Sequence, residues 1–465
     1  MVGLKKEDTN GISCDEDERP NVESIADFYA GKSVFITGVT GFLGKVYLEK
    51  LLYSCKDIDK VFVLIRNKKG EDGEKRIEKL LDSPAFSRIR SYRPQDLKKV
   101  IPILGDINKP ELGISSEDQD TLINEVSIVF HVAASVNLDA DLKTSMITNY
   151  YGTTHILNLC HRMKNIKVFV HVSTAYSNTV EKVLEEKVYP PPAQLDVVLK
   201  YMEEPHLDRK RLKNFLKGRP NTYTFSKALA EHYVAENHGD IPTIIIRPSI
   251  VTCSWKEPMP GWVDNFQGAT ALITAILKGL NKVIHGSKNN VLDLIPVDYV
   301  SNLSIVAAAK IKSSRGITVH NSCTSSIRPL TLKQIGKYIC QRSAETEKSL
   351  MFRASVFFLT NRYFVVILTF LLQIIPSFIA DMFLRVTGKK PMYMKIQSKV
   401  LQGRKVLNYF TKNTWIFKSD SSRQLLDSLS PSDRLTFPCY PSDLNWDEYF
   451  KTYFEGVEKF LLKGR

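Results

Sequence analysis

Paired cysteines are the first thing this chain lacks. Its seven cysteines (Cys14, Cys55, Cys160, Cys253, Cys323, Cys340 and Cys439) are odd in number, widely scattered, and nowhere form a C-x-x-C pair. That spacing gives no disulfide framework, zinc site or redox motif to expect, and it reads as reduced thiols in a cytosolic setting. No leader segment is expected either. Met1 to Pro20 is polar and rich in Asp and Glu, unlike a secretory signal or an amphipathic transit peptide, so residues 1–28 are expected to be a disordered tail. No internal repeat or low-complexity tract follows. Aromatic-plus-basic recognition motifs are also absent, so 64 Lys and Arg against 50 Asp and Glu, a formal charge of +14, do not read as nucleic-acid binding. An anionic membrane surface, or a phosphorylated substrate and cofactor, is the partner left by that charge. What remains is an ordinary globular composition, 43% hydrophobic and 25% charged over 465 residues, enough for two or three domains around a sizeable core.

The chain is organised around residues 32–44. Val34, Phe35 and Ile36 form a short apolar run suited to a parallel strand covered on both faces, and Tyr47, Leu48, Leu51 and Leu52 then recur at helical spacing. Three glycines fall at the joint. Gly38 lets the backbone turn, Gly41 leaves room for a pyrophosphate, and Gly44 lets the helix pack closely on its strand. Backbone N–H groups of the segment formed by Thr37, Gly38, Thr40, Gly41, Phe42, Leu43 and Gly44 are then aimed at an anion. The spacing is G-x-x-G-x-x-G, which on its own also fits a plain strand-to-helix turn.

Later segments add to it. Residues 60–66 form a second buried strand ending in Arg66, about twenty residues past the last glycine, where dinucleotide folds carry the residue that reads the ribose. A guanidinium there, followed by Lys68 and Lys69, suits a 2′-phosphate and so favours NADPH over NADH. Residues 100–106 read as a third strand, with Asp106 placed to accept from an adenine amino group. The fourth, 128–134, ends in the small residues Ala133 and Ala134, followed by Ser135, against which a cofactor can lie; His131 within it is expected to be a core histidine. A helix is expected to open at Asn149, and a fifth strand, 168–174, ends in the hydroxyls of Ser173 and Thr174. After an insertion from Thr179 to Asn221 come Tyr223 and Lys227, four apart and hence on one helix face. A phenol of ordinary pKa near 10 is a poor acid at neutral pH. An ammonium one turn away stabilises its phenolate and can also hold ribose hydroxyls. Each of the three signals is weak alone, but a glycine turn, hydroxyls ending the fifth strand and Y-x-x-x-K occur here in the required order.

With those residues in sequence, the chain resembles an extended short-chain dehydrogenase/reductase and, more narrowly, is similar to an animal or plant fatty acyl-CoA reductase. The narrower likeness rests on His171-Val172-Ser173-Thr174-Ala175-Tyr176, Glu186-Lys187-Val188-Tyr189-Pro190 and Ile246-Arg247-Pro248-Ser249. It extends to Glu257-Pro258-Met259-Pro260-Gly261-Trp262-Val263-Asp264-Asn265, to Asp293-Leu294-Ile295-Pro296-Val297-Asp298, to Trp415-Ile416-Phe417 and to Asn445-Trp446-Asp447-Glu448-Tyr449-Phe450. The resemblance covers nearly everything from Tyr29 onward. It implies an α/β fold, a doubly wound parallel Rossmann sheet over 29–330, followed by a smaller, mainly helical sterile-type domain over 331–465.

The activity it implies is reduction of a long-chain acyl-CoA thioester to a primary alcohol with two NADPH and release of CoA. Tyr223 and Thr174, with Ser173, would hydrogen-bond the developing oxyanion, Tyr223 would protonate the alkoxide, and Lys227 would tune it and hold the ribose. Arg247 and Pro248 are expected at the cofactor with the glycine segment, Arg66, Asp106 and Ala133; no metal is needed. A covalent acyl-cysteine route is the competing mechanism, with Cys253, close after the sixth strand, as its candidate. The alternatives are another membrane-associated reductase of the superfamily acting on a sterol or other lipid, and a catalytically silent lipid-surface protein. The uncharged run from Tyr363 to Ala380, inside a hydrophobic segment 352–386, is expected to embed as a kinked or re-entrant patch, with Pro376 as its kink. Lys348, Arg353 and Arg362 before it and Arg385, Lys389, Lys390 and Lys395 after it give no direction across a bilayer. Both domains are therefore expected on the cytosolic face of an endoplasmic reticulum or peroxisomal membrane.

Overall fold

Val34 and Ile36 point to one side of their strand and Phe35 to the other, and all three are fully buried. A strand apolar on both faces can only be interior to a sheet covered on both sides. That strand is β1 (Ser33–Thr37), and six others pair with it or its neighbours: β2 (Val61–Ile65), β3 (Val100–Leu104), β4 (Val126–His131), β5 (Val168–Val172), β6 (Thr243–Pro248) and β7 (Ile317–Ser322). All pairings are parallel, in the order β7-β6-β5-β4-β1-β2-β3. The order reverses between β1 and β4, so the crevice at their carboxyl ends is where a ligand fits a doubly wound sheet. The computed structural model describes residues 23–67, 72–204, 209–311, 316–346 and 353–462.

The helices that matter to the site are α1 (Phe42–Ser54), α2 (142–162), α3 (Thr222–Asn237), α4 (Val297–Ala309), α5 (Leu332–Thr346), α6 (Arg362–Val386), α7 (Tyr393–Lys412) and α8 (Trp446–Gly456). Leu48, Leu51, Leu303 and Val306 of α1 and α4 join the core on the Val34 face, while Ile156 and Leu157 of α2 join the Phe35 face.

Several boundaries differ from the sequence reading, and β3 and β5 each end two residues early, at Leu104 and Val172, which leaves Ser173 and Thr174 just past the strand. Residues 1–22 of the expected tail lie outside the described residues, but Ile25–Tyr29 is a helix with a Ser24–Asp27 capping box, and the buried Tyr29 hydroxyl donates to Ile305 O at 2.9 Å. The fourth strand stops at His131, because the next residues turn against Gly38. Helix α2 begins seven residues ahead of Asn149, capped by Asp141, whose carboxylate accepts from Thr144 N at 2.8 Å. The insertion 179–221 is not a bare loop either, since Val183–Leu184 pairs in parallel with Ile416–Phe417.

A second such pair joins Val283–His285 to Phe357–Leu359, so the C-terminal part is stitched to the sheet domain across residue 330. Helix α8 seats on the loop after β6: a Cβ on Gly456 would stand 1.8 Å from Gly261 O, an approach only glycine permits. Helix α6 runs 25 residues with mean hydropathy 2.2 over its apolar window, long and apolar enough to cross a membrane by composition. Ahead of Pro376 its turns widen over Phe370–Ile374, which absorbs the missing N–H, and the helix continues.

Candidate active site

The glycine turn sits at the switch point. Gly38 has φ +82°, and a Cβ there would meet Ala133 N at 2.7 Å, so the turn after β1 lies directly against the loop after β4. A Cβ on Gly44 would meet Gly38 O at 2.2 Å and Val39 Cα at 2.8 Å: the helix packs on the turn itself rather than on the strand. Gly41 faces the open side, with Gly38 O at 3.2 Å its only near neighbour, and no side chain caps α1. An uncapped start to a 13-residue helix, opening on exposed Thr40 and Gly41, is a cradle for a phosphate group. Phe42 also turns its ring away to stack on Trp262, centroids 5.1 Å apart.

Beneath the turn one proton arrangement fits the hydrogen bonds. Thr153 Oγ1 donates to Asn149 O at 2.7 Å, so toward His131 Nε2, 3.2 Å away, it accepts. His131 Nδ1 is then the acceptor, taking the Thr37 hydroxyl proton at 2.8 Å, and Thr37 Oγ1 accepts from Ala133 N at 3.2 Å. Burial, aided by the Lys227 charge, pulls His131 down to about 3, which keeps it neutral. It is a core histidine that ties β1, β4 and α2 together.

The hydroxyls and the Tyr–Lys pair converge at the end of β5. Asn221 caps α3, accepting from Thr224 N at 3.0 Å, and so fixes where Tyr223 emerges in the first turn. Tyr223 is half-buried and hydrogen-bonded to the Thr174 side chain; burial pushes its phenol up to about 12, with Thr174 acting in the opposite direction. Thr174 also accepts from Tyr176 N at 3.3 Å, capping the short turn that follows. The Lys227 ammonium is buried and donates to Val172 O at 2.6 Å; burial lowers it to about 8, opposed by Glu231. Ser173 Oγ is buried with no partner at all.

The other sequence-derived candidates lie outside the Thr174–Tyr223–Lys227 cluster. Arg66 is exposed at the end of β2, where its carbonyl accepts from Arg76, while Lys68 and Lys69 lie outside the described residues. Asp106 is half-buried and accepts from Asn108 N at 3.0 Å, shaping its own turn. The Arg247 guanidinium is engaged by the protein itself: it forms a buried two-point pair with Glu231 at 2.8 and 3.0 Å and donates to Glu185 O and Lys187 O. Pro248 is buried in β6 beside Ser322 of β7. Cys253 is fully buried with its Sγ 3.3 Å from the Tyr449 hydroxyl, and burial raises its thiol well above the usual range, the reverse of an activated nucleophile.

Known proteins resemble this chain over most of its length. The NAD-binding family model described as male sterility protein matches residues 36–304, and a second, the Sterile model under the same description, matches 372–464. Fatty acyl-CoA reductase 1 of Xenopus laevis is 37% identical over 444 residues, covering 94% of this chain and 86% of that protein. The chain belongs to the fatty acyl-CoA reductase family. Fatty acyl-CoA reductase 2 of Mus musculus, 34% identical over 447 residues, covers the same shares. Among solved structures, the terminal R domain of the myxalamid biosynthetic pathway superposes with TM-score 0.60 at 19% identity, over 93% of this chain and 92% of that one. The reductase domain of a Mycobacterium tuberculosis non-ribosomal peptide synthetase does so with TM-score 0.60 at 16% identity, over 96% of each. The likeness in structure is one of fold; the family and its nicotinamide-cofactor domain rest on the sequence matches.

Two residues of this reductase escaped the sequence reading. Asn149, buried in α2, accepts from Ser135 N at 2.8 Å, donates to Ser135 O at 3.2 Å and to Ser226 Oγ at 3.0 Å. It thereby ties the crevice loop after β4 to α3, between Tyr223 and Lys227. Glu231 stands one turn beyond Lys227 and anchors Arg247 from the same helix face; the four-residue step from Tyr223 through Lys227 was the signal that could have found it.

Proposed function

We propose that this chain reduces a long-chain acyl-CoA to the primary alcohol, consuming two NADPH and releasing CoA. The observation that carries the proposal is the convergence of Thr174, Tyr223 and Lys227 at the end of β5, beside an uncapped helix start at the switch point of the sheet. Those groups fit a dinucleotide: open Gly41 and the α1 amides for its pyrophosphate, Ala133 and Ser135 along it, exposed Arg66 for a 2′-phosphate. Bound NADPH supplies the hydride in each of the two rounds.

The protein's part is to hold oxygen and move a proton. In the first round the hydroxyls of Tyr223 and Thr174 donate to the thioester oxygen as it gains negative charge, and collapse expels the CoA thiolate, leaving an aldehyde. In the second the same pair holds the aldehyde oxygen, and Tyr223 Oη gives it a proton, a role that needs the phenol protonated, as a pKa near 12 keeps it. The buried Lys227 ammonium then favours transient phenolate and can hold ribose hydroxyls. No cysteine takes part.

The membrane lipid surface completes the reading, with both the cofactor domain and the C-terminal module on the cytosolic side of an endoplasmic reticulum or peroxisomal membrane. Its support is α6, whose apolar side chains are largely outside the protein core. Expression in yeast with fatty alcohols profiled by gas chromatography tests the proposal: new long-chain alcohols are expected, and their absence from cells that accumulate the protein overturns it.

A further inference from the structure

Helix α6 is built inside out. Its buried positions are Val365, Thr369, Gln373, Ser377 and Asp381, one every fourth residue, and four of the five are polar. The large apolar side chains go the other way: Phe364, Ile367, Phe370, Phe378, Ile379 and Phe383 are each 51–68% exposed. An ordinary surface helix shows the opposite pattern. Three of these inward polar groups accept hydrogen bonds from neighbouring segments. Gln373 Oε1 accepts from Lys282 N and Val283 N at 3.0 and 3.1 Å, and Thr369 Oγ1 accepts from Arg404 at 3.0 Å. The Asp381 carboxylate accepts from Met392, Tyr393 and Met394 N at 2.8–2.9 Å, capping α7.

We propose that α6 lies in the plane of an anionic lipid leaflet, apolar stripe among the acyl chains and polar stripe holding the protein, without crossing the bilayer. This rests on the membrane reading above and deepens it by naming the orientation and the lipid. By length the helix is about 38 Å, enough to span a hydrocarbon core of about 30 Å. From Val365 to Asp381, however, about 24 Å of it is fastened to the body of the protein. The neighbour that would be dragged in with it, α7, carries Lys395, Lys399, Arg404 and Lys405. Lying flat requires only one apolar face.

Charge selects the occupant. Residues 353–412 hold ten Lys and Arg and one acid, the buried Asp381, which is a surplus of nine out of the chain's fourteen. Arg362, Arg385, Lys389, Lys390, Lys395 and Lys399 are exposed around the apolar stripe, where anionic headgroups would meet them. A second copy docked face to face would press two such basic rims together.

The test uses the purified full chain tagged at both ends, with sealed vesicles of phosphatidylcholine alone or mixed with phosphatidylserine. Flotation with the mixed vesicles is expected to exceed that with phosphatidylcholine by about tenfold and to fall in high salt, with protease removing both tags. Phe378→Ser with Phe383→Ser should cut flotation by about tenfold at unchanged Tm. Gln373→Leu makes the helix more apolar, yet it should lower Tm without tightening membrane binding. Protection of one tag, with Gln373→Leu retained more firmly, would show a true span and overturn the proposal. Loss of a dimer in the Phe378/Phe383 variant with flotation unchanged would assign the face to a second copy and overturn it as well. If the wild type binds no vesicle, the membrane reading itself falls.

Discussion

Lys227 is a buried cation with one partial counter-charge, and its energetics carry a signature. Burial takes its pKa from 10.5 to about 8, a difference worth about 3 kcal/mol. Because the folded value lies below the unfolded one, the penalty is present in full below pH 8 and is relieved as pH rises toward 10.5. Lys227→Met is therefore expected to abolish reduction while leaving Tm unchanged or raised; a large drop in Tm would make the Val172 carbonyl contact structural instead. Activity of the wild type should decline as pH climbs through about 8 and the ammonium is lost. At the other end of the proposed cofactor, Arg66→Ala should raise KM for NADPH far more than for NADH, and equal changes would refute its role. That Tyr223 and Lys227 share one helix was legible in the sequence, because a four-residue step is a property of any helix. Arg247 was not: a charged residue ending a strand reads as a crevice residue, and only the packing of α3 beside β6 shows Glu231 capturing it.

At the scale of elements, the turn between β1 and α1 works by exclusion of atoms. Gly38→Ala would put a methyl 2.7 Å from Ala133 N at φ +82°. It should cost about 1–3 kcal/mol of stability and weaken NADPH binding. Gly31→Ala, also at positive φ but with nothing within 4 Å, is the control that carries strain alone. If the two variants bind NADPH alike, close approach of the two crevice loops is not what shapes the cradle. The strands were legible because apolar runs bounded by glycine and polar residues leave few other readings. The polar stripe of α6 was hidden, since a hydropathy average over 362–386 cannot say which side faces protein. Likewise Asp141 starts α2 ahead of Asn149 through a cap three residues wide, while the apolar periodicity becomes plain only later.

For the whole molecule, buried neutral histidines set the response to acid. Burial lowers His131 to about 3 and His320 to about 4, and takes His171 well below its ordinary value. With folded values below the unfolded 6.5, each withdraws stability as pH falls below 6.5, His131 and His320 by about 2 kcal/mol apiece at pH 5. Asp298, raised to about 6 by burial, works the other way, returning about 1 kcal/mol at that pH. The urea midpoint should fall clearly between pH 7 and pH 5, and a flat profile would contradict the neutral, enclosed state of the three rings. Stitching of the C-terminal part to the sheet through residues 183–184 and 283–285 makes one transition the expectation for that unfolding. The joint itself was not legible, because strands of two and three residues leave no periodic trace. The central claim is two successive reductions at one Tyr223–Thr174 site, and stoichiometry tests it most directly. With palmitoyl-CoA, the purified chain should oxidise two NADPH per hexadecanol formed, and Tyr223→Phe should form none while binding NADPH within a few-fold of wild type. A Tyr223→Phe variant with near-normal turnover, or a wild type that stops at one NADPH per thioester, would contradict it.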